Sequence, residues 1–516
     1  MSLAARVGRA IFWGQAGRLA EAVLLFLFSL LLARLLGPAS YGLYAVGIGF
    51  VGLCGFLVLL GLGPETLGRF LPEVVAGGRH DRARGLLVKL IAMRGAATLL
   101  LGATVFYFRE ALGAWLHFPM GTATTAVVLL VFAARSLADL LTYFSSGLLE
   151  MRRVAIAKLA TALTAPVIVF FFWWFRDANP DAAWIATAGG SLAGVLILSI
   201  PLLSIRSQHR RAETVPVRKI LSFGMFTWVT VFFVYVLGDN TDVMLLGWLQ
   251  PDRIAIGQYA VGAKIAFSLN ALLLGWASLV SVSSFSEAWQ KGGAVRLARL
   301  VEGQWKLGVL SLVGPSLLLV RYAPEVLRIF YSNAYAPSAP VIQILCGLMA
   351  LSGLLGFTLG TSALYATSHE RLACVLVGAA AAFNIGAEIV LVRRMGILGA
   401  AWATGLSFVL LALSSAIAGR HYFPWRFPAL FAGKVLAACA IALTPTLWIR
   451  ADSSATLAAG IVVWCVTFLG SLAILKPLEE MDSAALVRVN PRLAELAAFF
   501  GPRAVTVAAG GAPWRA

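Results

Sequence analysis

Charged residues are scarce in this sequence. Only 12% of the 516 residues are Asp, Glu, Lys or Arg, whereas a soluble globular domain has about 25%. Hydrophobic residues make up 60% of the chain, and the mean hydropathy is +0.87. This composition excludes a soluble globular domain and indicates an integral membrane protein.

Motifs for ATP hydrolysis and for metal binding are also absent from the sequence. No Gly-x-x-x-x-Gly-Lys-Ser/Thr loop occurs, so we expect that the chain is not itself an ATPase, and there is no His-Glu-x-x-His segment or other metal cluster. The five cysteines lie in apolar segments without the paired spacing of a metal site or disulfide framework: Cys54, Cys346, Cys374, Cys439 and Cys465. We therefore expect no metal centre and no cofactor.

Acidic residues number only 23 against 41 Lys and Arg, which gives a net charge of +18. A basic chain can bind nucleic acid, but here the basic residues occupy short connectors on alternate sides of the apolar runs. That pattern is a topology signal of membrane proteins, so we expect no nucleic acid partner. The distribution predicts that both termini are cytoplasmic, although Arg393 and Arg394 on the opposite side count against it.

Continuous apolar runs of about 20 residues predict transmembrane helices rather than a β-barrel, whose segments alternate. The fold class is therefore all-α and polytopic. We predict fourteen spans near residues 11–35, 41–64, 86–108, 124–149, 157–175, 182–205, 220–248, 257–281, 304–322, 339–365, 371–392, 399–419, 429–449 and 455–475.

An internal repeat organises these spans. Pro38 is echoed by Pro251 at an offset of 213 residues, and Tyr44-Ala-Val-Gly47 by Tyr259-Ala-Val-Gly262 at 215. Further echoes join Glu110-Ala-Leu112 to Glu325-Val-Leu327, and Ala182-Ala-Trp184 with Thr187 to Ala400-Ala-Trp402 with Thr404. Such echoes indicate two homologous halves.

Six spans in each half give both halves the same orientation, so an axis along the membrane normal should relate them. We predict an N-terminal lobe at 1–205, a cytoplasmic linker at 206–219, a C-terminal lobe at 220–420, two further spans within 421–475 and a cytoplasmic tail at 476–516.

Several short motifs carry a family resemblance. They are Arg34-Leu-Leu-Gly37-Pro38 with Tyr41-Gly42-Leu-Tyr44, then Arg69-Phe-Leu-Pro72-Glu73, and later Ile256-Gly257-Gln-Tyr259 and Asn384 before Gly396-Ile-Leu-Gly399. In order and spacing they resemble the polysaccharide-transport branch, the O-antigen (Wzx-type) flippases, of the multidrug/oligosaccharidyl-lipid/polysaccharide exporter superfamily. The chain departs from this pattern at Glu388, where a second amide is usual.

The resemblance implies a two-lobed exporter that moves undecaprenyl-diphosphate-linked oligosaccharide units across the bacterial inner membrane. The implied partners are this lipid-linked substrate, membrane lipids and, in the same process, a polysaccharide polymerase and glycosyltransferases. We expect a monomer.

Ionisable residues inside the spans are the candidate site, because a charge at bilayer depth needs a partner or water. We predict cavity cations that receive phosphate at Arg94, Arg18, Arg135 and Lys264. For coupling or gating we predict Glu388, Asp239, Asp242, Glu21 and Asp139. Arg18 with Glu21, Arg135 with Asp139, and Asp242 with Lys264 could alternatively form structural pairs.

Three other functions remain open. A drug or metabolite cation antiporter of the same superfamily would have an acidic, aromatic cavity. The chain resembles the lipid II flippases less, because the first helix of those proteins has a different arrangement of arginines. A polymerase or ligase would need a sizeable external loop with catalytic Arg or His residues, and the outer connectors here are short, so we expect no enzyme.

Overall fold

Helices account for almost all of the described chain. The computed structural model describes residues 3–63, 66–67, 70–71, 80–175, 179–203, 217–356, 359–425, 427–479 and 501. Its helices are α1 (Leu3–Leu57), α2 (His80–Tyr107), α3 (Arg109–Trp115), α4 (Thr122–Gly147), α5 (Met151–Phe175), α6 (Pro180–Leu203), α7 (Val217–Val236), α8 (Asp239–Leu249), α9 (Arg253–Val326), α10 (Ala339–Leu354), α11 (Leu359–Ala366), α12 (Glu370–Met395), α13 (Ile397–Gly419), α14 (Ala429–Thr446) and α15 (Ser454–Leu475). The all-α polytopic fold is confirmed.

Eleven helices in the described residues are long and apolar enough to cross a membrane, or twelve if the bent pair α7 and α8 forms one span. Two of these segments, Trp13–Leu57 and Ser281–Tyr331, have 45 and 51 residues, whereas one crossing needs about 20. Both exceed one crossing because α1 runs through the predicted break at residues 36–40 and α9 through the predicted connector at 282–303. The number fourteen thus stays a prediction.

Glycine and proline interrupt the two longest helices. In α1 the interruption is Gly37, with φ of 69°, followed by Pro38, which cannot donate a backbone hydrogen bond. In α9 the interruption is Gly292-Gly293, where Gly293 has φ of 59°. A left-handed conformation is readily adopted only by glycine, so the bend positions are encoded locally.

The α7–α8 pair bends by 61° at a short break that contains Gly238. Helix α7 is held against α1 by two side chains: Trp228 Nε1 donates to the Phe56 carbonyl at 3.0 Å, and Tyr235 Oη donates to the Gly49 carbonyl at 3.0 Å. Because of this break, α8, which begins with Asp239, runs in a different direction from α7.

The chain forms two compact units. The first comprises Met1–Leu272, Tyr331–Val341 and Val377–Ser407. Within it α5 packs extensively on α6 and on α1, and an apolar core lies around Leu62, Leu140 and Phe144. The predicted lobe boundaries stay a prediction, and most of the linker and tail lies outside the described residues.

The second unit comprises Leu273–Phe330, Ile342–Leu376 and Phe408–Ala516. Its core joins the second half of α9 to α14 and α15 through residues such as Trp305, Val435 and Trp464. Arg321 extends this packing with polar contacts, to the Glu325 carboxylate at 3.0 Å and the Thr446 carbonyl at 3.1 Å. Helices α14 and α15, which have no counterpart in the sequence repeat, are thus packed into this unit.

The echoed segments touch each other inside the first unit. Gly42 of α1 faces the first turn of α9. A Cβ atom at Gly42 would overlap the Arg253 carbonyl oxygen. Gly257 faces back, and a Cβ there would overlap the Pro38 carbonyl oxygen. Gly42 and Gly257 are separated by the same 215 residues as the echoed tyrosines. Only glycine permits this crossing.

This crossing can be tested with two alanine substitutions in α1. Gly42→Ala should lower the thermal unfolding temperature in detergent, because overpacking costs about 1–3 kcal/mol. Gly55→Ala is the matched control, since nothing lies within 4 Å of a Cβ there. Alanine should leave the Gly55 site unchanged or slightly more stable. Equal effects at both positions would contradict the close crossing.

Candidate functional site

A cavity of about 350 Å³ lies within the first unit. Its wall is built by α1, α4, α5, α6, α8 and the start of α9. The volume falls in the range of roughly 300–1,000 Å³ that is usual for ligand pockets. Most of its polar side chains come from helices that are apolar elsewhere, which points to a site that binds a polar group.

The bend in α1 brings two tyrosines to this cavity. Tyr41 Oη lies 2.7 Å from Ser29 Oγ, so that this pair joins the two halves of α1 across Gly37-Pro38. Tyr44 Oη lies 3.1 Å from Thr187 Oγ1 of α6. Thr187 itself donates to the Ala183 carbonyl at 2.8 Å, which leaves its oxygen to accept from Tyr44.

Among the described residues, six charged side chains line the cavity, and their signs balance. The cations are Arg135, Lys158 and Lys264, and the carboxylates are Glu21, Asp139 and Asp239. Lys158 Nζ donates to Glu21 Oε2 at 2.5 Å and so joins α5 to α1. Arg135 and Asp139 are one turn apart on α4. The cavity is therefore polar and highly charged but close to neutral.

A second polar cluster is closed to solvent. Asp242 of α8, Tyr259 of α9, Asn384 and Glu388 of α12, and Thr404 of α13 are all fully buried. Asp242 Oδ2 accepts from Tyr259 Oη at 2.6 Å and from Thr404 Oγ1 at 2.8 Å. Thr404 Oγ1 also lies 3.3 Å from Glu388 Oε1 and accepts from Asn384 Nδ2 at 3.2 Å. We call these five residues the carboxyl cluster.

The carboxyl cluster has fewer donors than its buried oxygens need. Within the described part of the chain neither Asp242 nor Glu388 forms an ion pair, and Asp242 Oδ1, Glu388 Oε2 and Asn384 Oδ1 have no hydrogen-bond partner. Thr404 has one hydroxyl hydrogen and can donate it to only one carboxyl at a time. Two buried carboxylates without a cation are very costly, so this arrangement suits a bound proton or a small cation.

The structure brings five predicted residues to the cavity: Arg135, Asp139, Asp239, Lys264 and Glu21. Asp242 and Glu388 meet in the carboxyl cluster instead. The suggested pairing of Asp242 with Lys264 is wrong, because Tyr259 and Thr404 bind the Asp242 carboxylate. The suggested pairing of Arg18 with Glu21 is also wrong, because Lys158 reaches Glu21 from a neighbouring helix while Arg18 is exposed.

Arg94 does not belong to the cavity lining. Its side chain is 2% exposed, and its Nε donates to Ser136 Oγ at 3.0 Å. Its Nη1 has no hydrogen-bond partner among the described residues, and the nearby anion is Asp139. The phosphate-binding roles suggested for Arg94 and Arg18 thus stay predictions without support from their placement.

Most family-motif residues within the described part of the chain have structural roles. Gly37 and Pro38 form the bend in α1, Tyr41 spans it, and Gly42 makes the crossing with α9. Arg34 is exposed. The remaining motif residues, Arg69, Pro72 and Glu73, lie outside the described residues.

Sequence reasoning missed Lys158. The fifth span was predicted to begin at residue 157, so Lys158 counted as a helix end, whereas α5 begins at Met151 and places it two turns inside. Tyr259 and Thr404 were noticed only as echoes of Tyr44 and Thr187. Their role could have been inferred from the echo itself, since both tyrosine–threonine pairs belong to polar sites.

Comparison with known proteins identifies the family. The polysaccharide biosynthesis protein family matches residues 7–289, which is more than half of the chain. The chain belongs to this family. An uncharacterized membrane protein of Methanocaldococcus jannaschii is 21% identical over 437 residues, which cover 80% of this chain and 83% of that protein.

Solved structures share the fold. The lipid II flippase MurJ in an inward closed conformation has a TM-score of 0.69 at 15% identity, covering 89% of this chain and 98% of the other. An inward-facing multidrug resistance MATE family transporter of the MOP superfamily has a TM-score of 0.65 at 13% identity, covering 78% and 94%. This polysaccharide biosynthesis family member is a multi-pass membrane protein with the fold of these transporters.

The two threonines allow a test of the carboxyl cluster. Thr404→Val should destabilise the protein by about 1–3 kcal/mol, because it removes a donor from fully buried carboxyl groups. Thr187→Val is the matched change at the cavity wall, where water can replace the lost hydroxyl, and should cost less. Thermal unfolding of both variants in detergent measures the difference. A larger loss for Thr187→Val would contradict the cluster's assigned hydrogen bonds.

Proposed function

We propose that this protein is a flippase that moves undecaprenyl-diphosphate-linked oligosaccharide repeat units from the cytoplasmic to the outer leaflet of the bacterial inner membrane. The observation that supports it is the cavity in the first unit. There Arg135, Lys158 and Lys264 project among hydroxyl and tyrosine side chains, in a chain of the polysaccharide biosynthesis family. The product would enter exopolysaccharide, capsule or O-antigen synthesis.

The lining chemistry suits both parts of such a head group. A diphosphate offers several anionic oxygens, and the guanidinium of Arg135 can bind two at once while lysine acts as a point charge. Sugar hydroxyls need donors and acceptors, which Thr142, Thr187 and Asn240 can supply at the wall. The polyprenyl chain would stay in the bilayer, since it gains nothing from a polar cavity.

The orientation follows from the basic connectors, with both termini in the cytoplasm. Lipid-linked units made by cytoplasmic glycosyltransferases would then enter from the inside, and a polymerase would use them on the outside. The protein would work as a monomer, because each chain has its own cavity.

Energy would come from gradients. An anionic head group that moves outward travels toward the positive side of the membrane and gains about 2.3 kcal/mol per charge per 100 mV. The carboxyl cluster supplies a second source, because Asp242 and Glu388 can exchange a proton or small cation between states. Asp239, which lies one turn before Asp242 on α8, connects this cluster to the cavity wall.

A second function, a cation antiporter, is favoured by one observation. Three carboxylates line the cavity, and Asp239 has no ion-pair partner among the described residues. An organic cation could bind there. Tight binding of tetraphenylphosphonium to the purified protein, with no binding of a polyprenyl diphosphate, would favour this function over the flippase.

Deletion of the protein in its bacterium tests the proposal directly. Extraction of the undecaprenyl-linked saccharides and determination of their leaflet should reveal complete units on the cytoplasmic side only. If units reach the outer leaflet normally but stay unpolymerised, the protein acts after translocation and the flippase proposal fails.

Complementation of this deletion tests the cavity cations. Arg135→Gln and Lys264→Gln should each reduce polymer at least about tenfold, because a lost charge-assisted bond to phosphate contributes about 1.5–3 kcal/mol. Lys291→Gln is the control, since Lys291 is exposed, pairs with Glu287 and does not line the cavity. Surface polymer, normalised to protein level, is the measurement. Wild-type polymer in both cavity variants would contradict the assignment.

Reconstituted vesicles test the two energy sources. We expect wild-type flipping to respond to an imposed membrane potential and to a proton or sodium gradient. Glu388→Gln keeps the side-chain shape but cannot exchange a proton, so flipping by this variant should respond to the potential alone. A full gradient response in Glu388→Gln would exclude the carboxyl cluster as the coupling site, and flipping that ignores the potential would exclude the electrical contribution.

A further inference from the structure

The charges of the cavity cancel although a diphosphate is anionic. If the site existed only to attract phosphate, carboxylates among its cations would oppose binding. Yet Glu21 and Asp139 lie beside the cations on the α4–α5 side of the wall. The two carboxylates must therefore have a role that does not depend on bound substrate.

Glu21 forms an ion pair that remains open to the cavity. The Lys158 and Glu21 side chains are 30% and 23% exposed, at a separation of 2.5 Å between Nζ and Oε2. Partly exposed ion pairs of this kind are weak, because water competes for both charges. An incoming anion with more charge than a carboxylate can therefore replace Glu21 at Lys158.

Asp139 lies in a group of cations. Arg135, Arg94 and Lys158 are the positive charges that act on it, and Glu21 is the opposing negative charge. Arg94 is buried and its Nη1 has no acceptor in the described residues, and the negative charge of Asp139 acts on it without a direct ion pair between the two described side chains. Without an anion at this position the site would hold uncompensated cations within the spanning helices, which is costly.

We infer that Glu21 and Asp139 are internal counter-anions that hold the place of the substrate's phosphates in the empty transporter. This inference rests on the proposed function. When the diphosphate enters, its oxygens take over Lys158 and Arg135, and the two carboxylates are released to water in the cavity. In the empty state the carboxylates compensate Lys158 and Arg135, so the return step does not carry uncompensated cations within the spanning helices.

Glu21 and Asp139 are thus positioning residues that weaken phosphate binding and speed turnover. Removing either negative charge should strengthen phosphate binding, because the competitor is gone. It should also slow turnover, because the more tightly held phosphate leaves more slowly and the empty cavity retains an uncompensated cation within the spanning helices. A purely structural ion pair would lower both quantities together.

The test uses the full-length protein in detergent with farnesyl diphosphate as the anionic probe and farnesol as its uncharged counterpart. Glu21→Gln and Asp139→Asn keep the shapes and should bind farnesyl diphosphate about threefold more tightly, a modest gain in keeping with a weak, partly exposed pair. Farnesol binding should not change. Asp139→Glu should restore wild-type affinity, and Glu150→Gln, from the surface pair with Arg153, is the matched control.

Each outcome decides one point. Suppose that the wild-type protein prefers the diphosphate to the alcohol. If the folded variants then bind the diphosphate no more tightly than the wild type, the inference is overturned and the flippase proposal still stands. Wild-type protein that does not prefer the diphosphate overturns the proposed function, and the inference with it. If Asp139→Asn does not fold, Glu21→Gln decides, and in vesicles its flipping should show a lower KM and a lower maximal rate.

Discussion

The close crossing of α1 and α9 places both polar sites of the first unit. Packed helices usually lie 8–10 Å apart, and membrane helices come closer only where small residues face each other. Gly42 and Gly257 meet this requirement from both sides. Two residues after each glycine comes a tyrosine, and these two side chains end in different sites. Tyr44 reaches Thr187 at the cavity, and Tyr259 reaches Asp242 in the carboxyl cluster.

The two sites solve the problem of charge inside a membrane in different ways. In the cavity, opposite charges are mixed and partly exposed, so each can exchange its partner for a ligand or water. In the carboxyl cluster, two acids are fully buried and depend on hydroxyl and amide donors. The first arrangement suits a large polar head group, whereas the second suits only an ion as small as a proton or a monovalent cation.

The bend between α7 and α8 connects them. Because α8 starts afresh after Gly238, Asp239 lies at the cavity wall and Asp242 lies one turn deeper, within the carboxyl cluster. A movement of this short helix would therefore change both sites at once. That linkage would couple the proposed ion in the carboxyl cluster to the shape of the cavity.

The apolar spans and the break at Gly37-Pro38 could be predicted from the sequence. Continuous apolar runs determined the all-α membrane fold, and Gly37-Pro38 marked the bend in α1 because glycine and proline act on the local backbone. The pairing of charges was different. Glu21 lies three residues from Arg18 on its own helix, yet Lys158 of another helix pairs with it. Arg94, one of the predicted cavity cations, is buried and does not line the cavity. Span counting and local spacing describe one helix at a time, whereas the neighbour of a side chain across a helix interface depends on rotation and packing. Only the tertiary structure decides which side chains meet there.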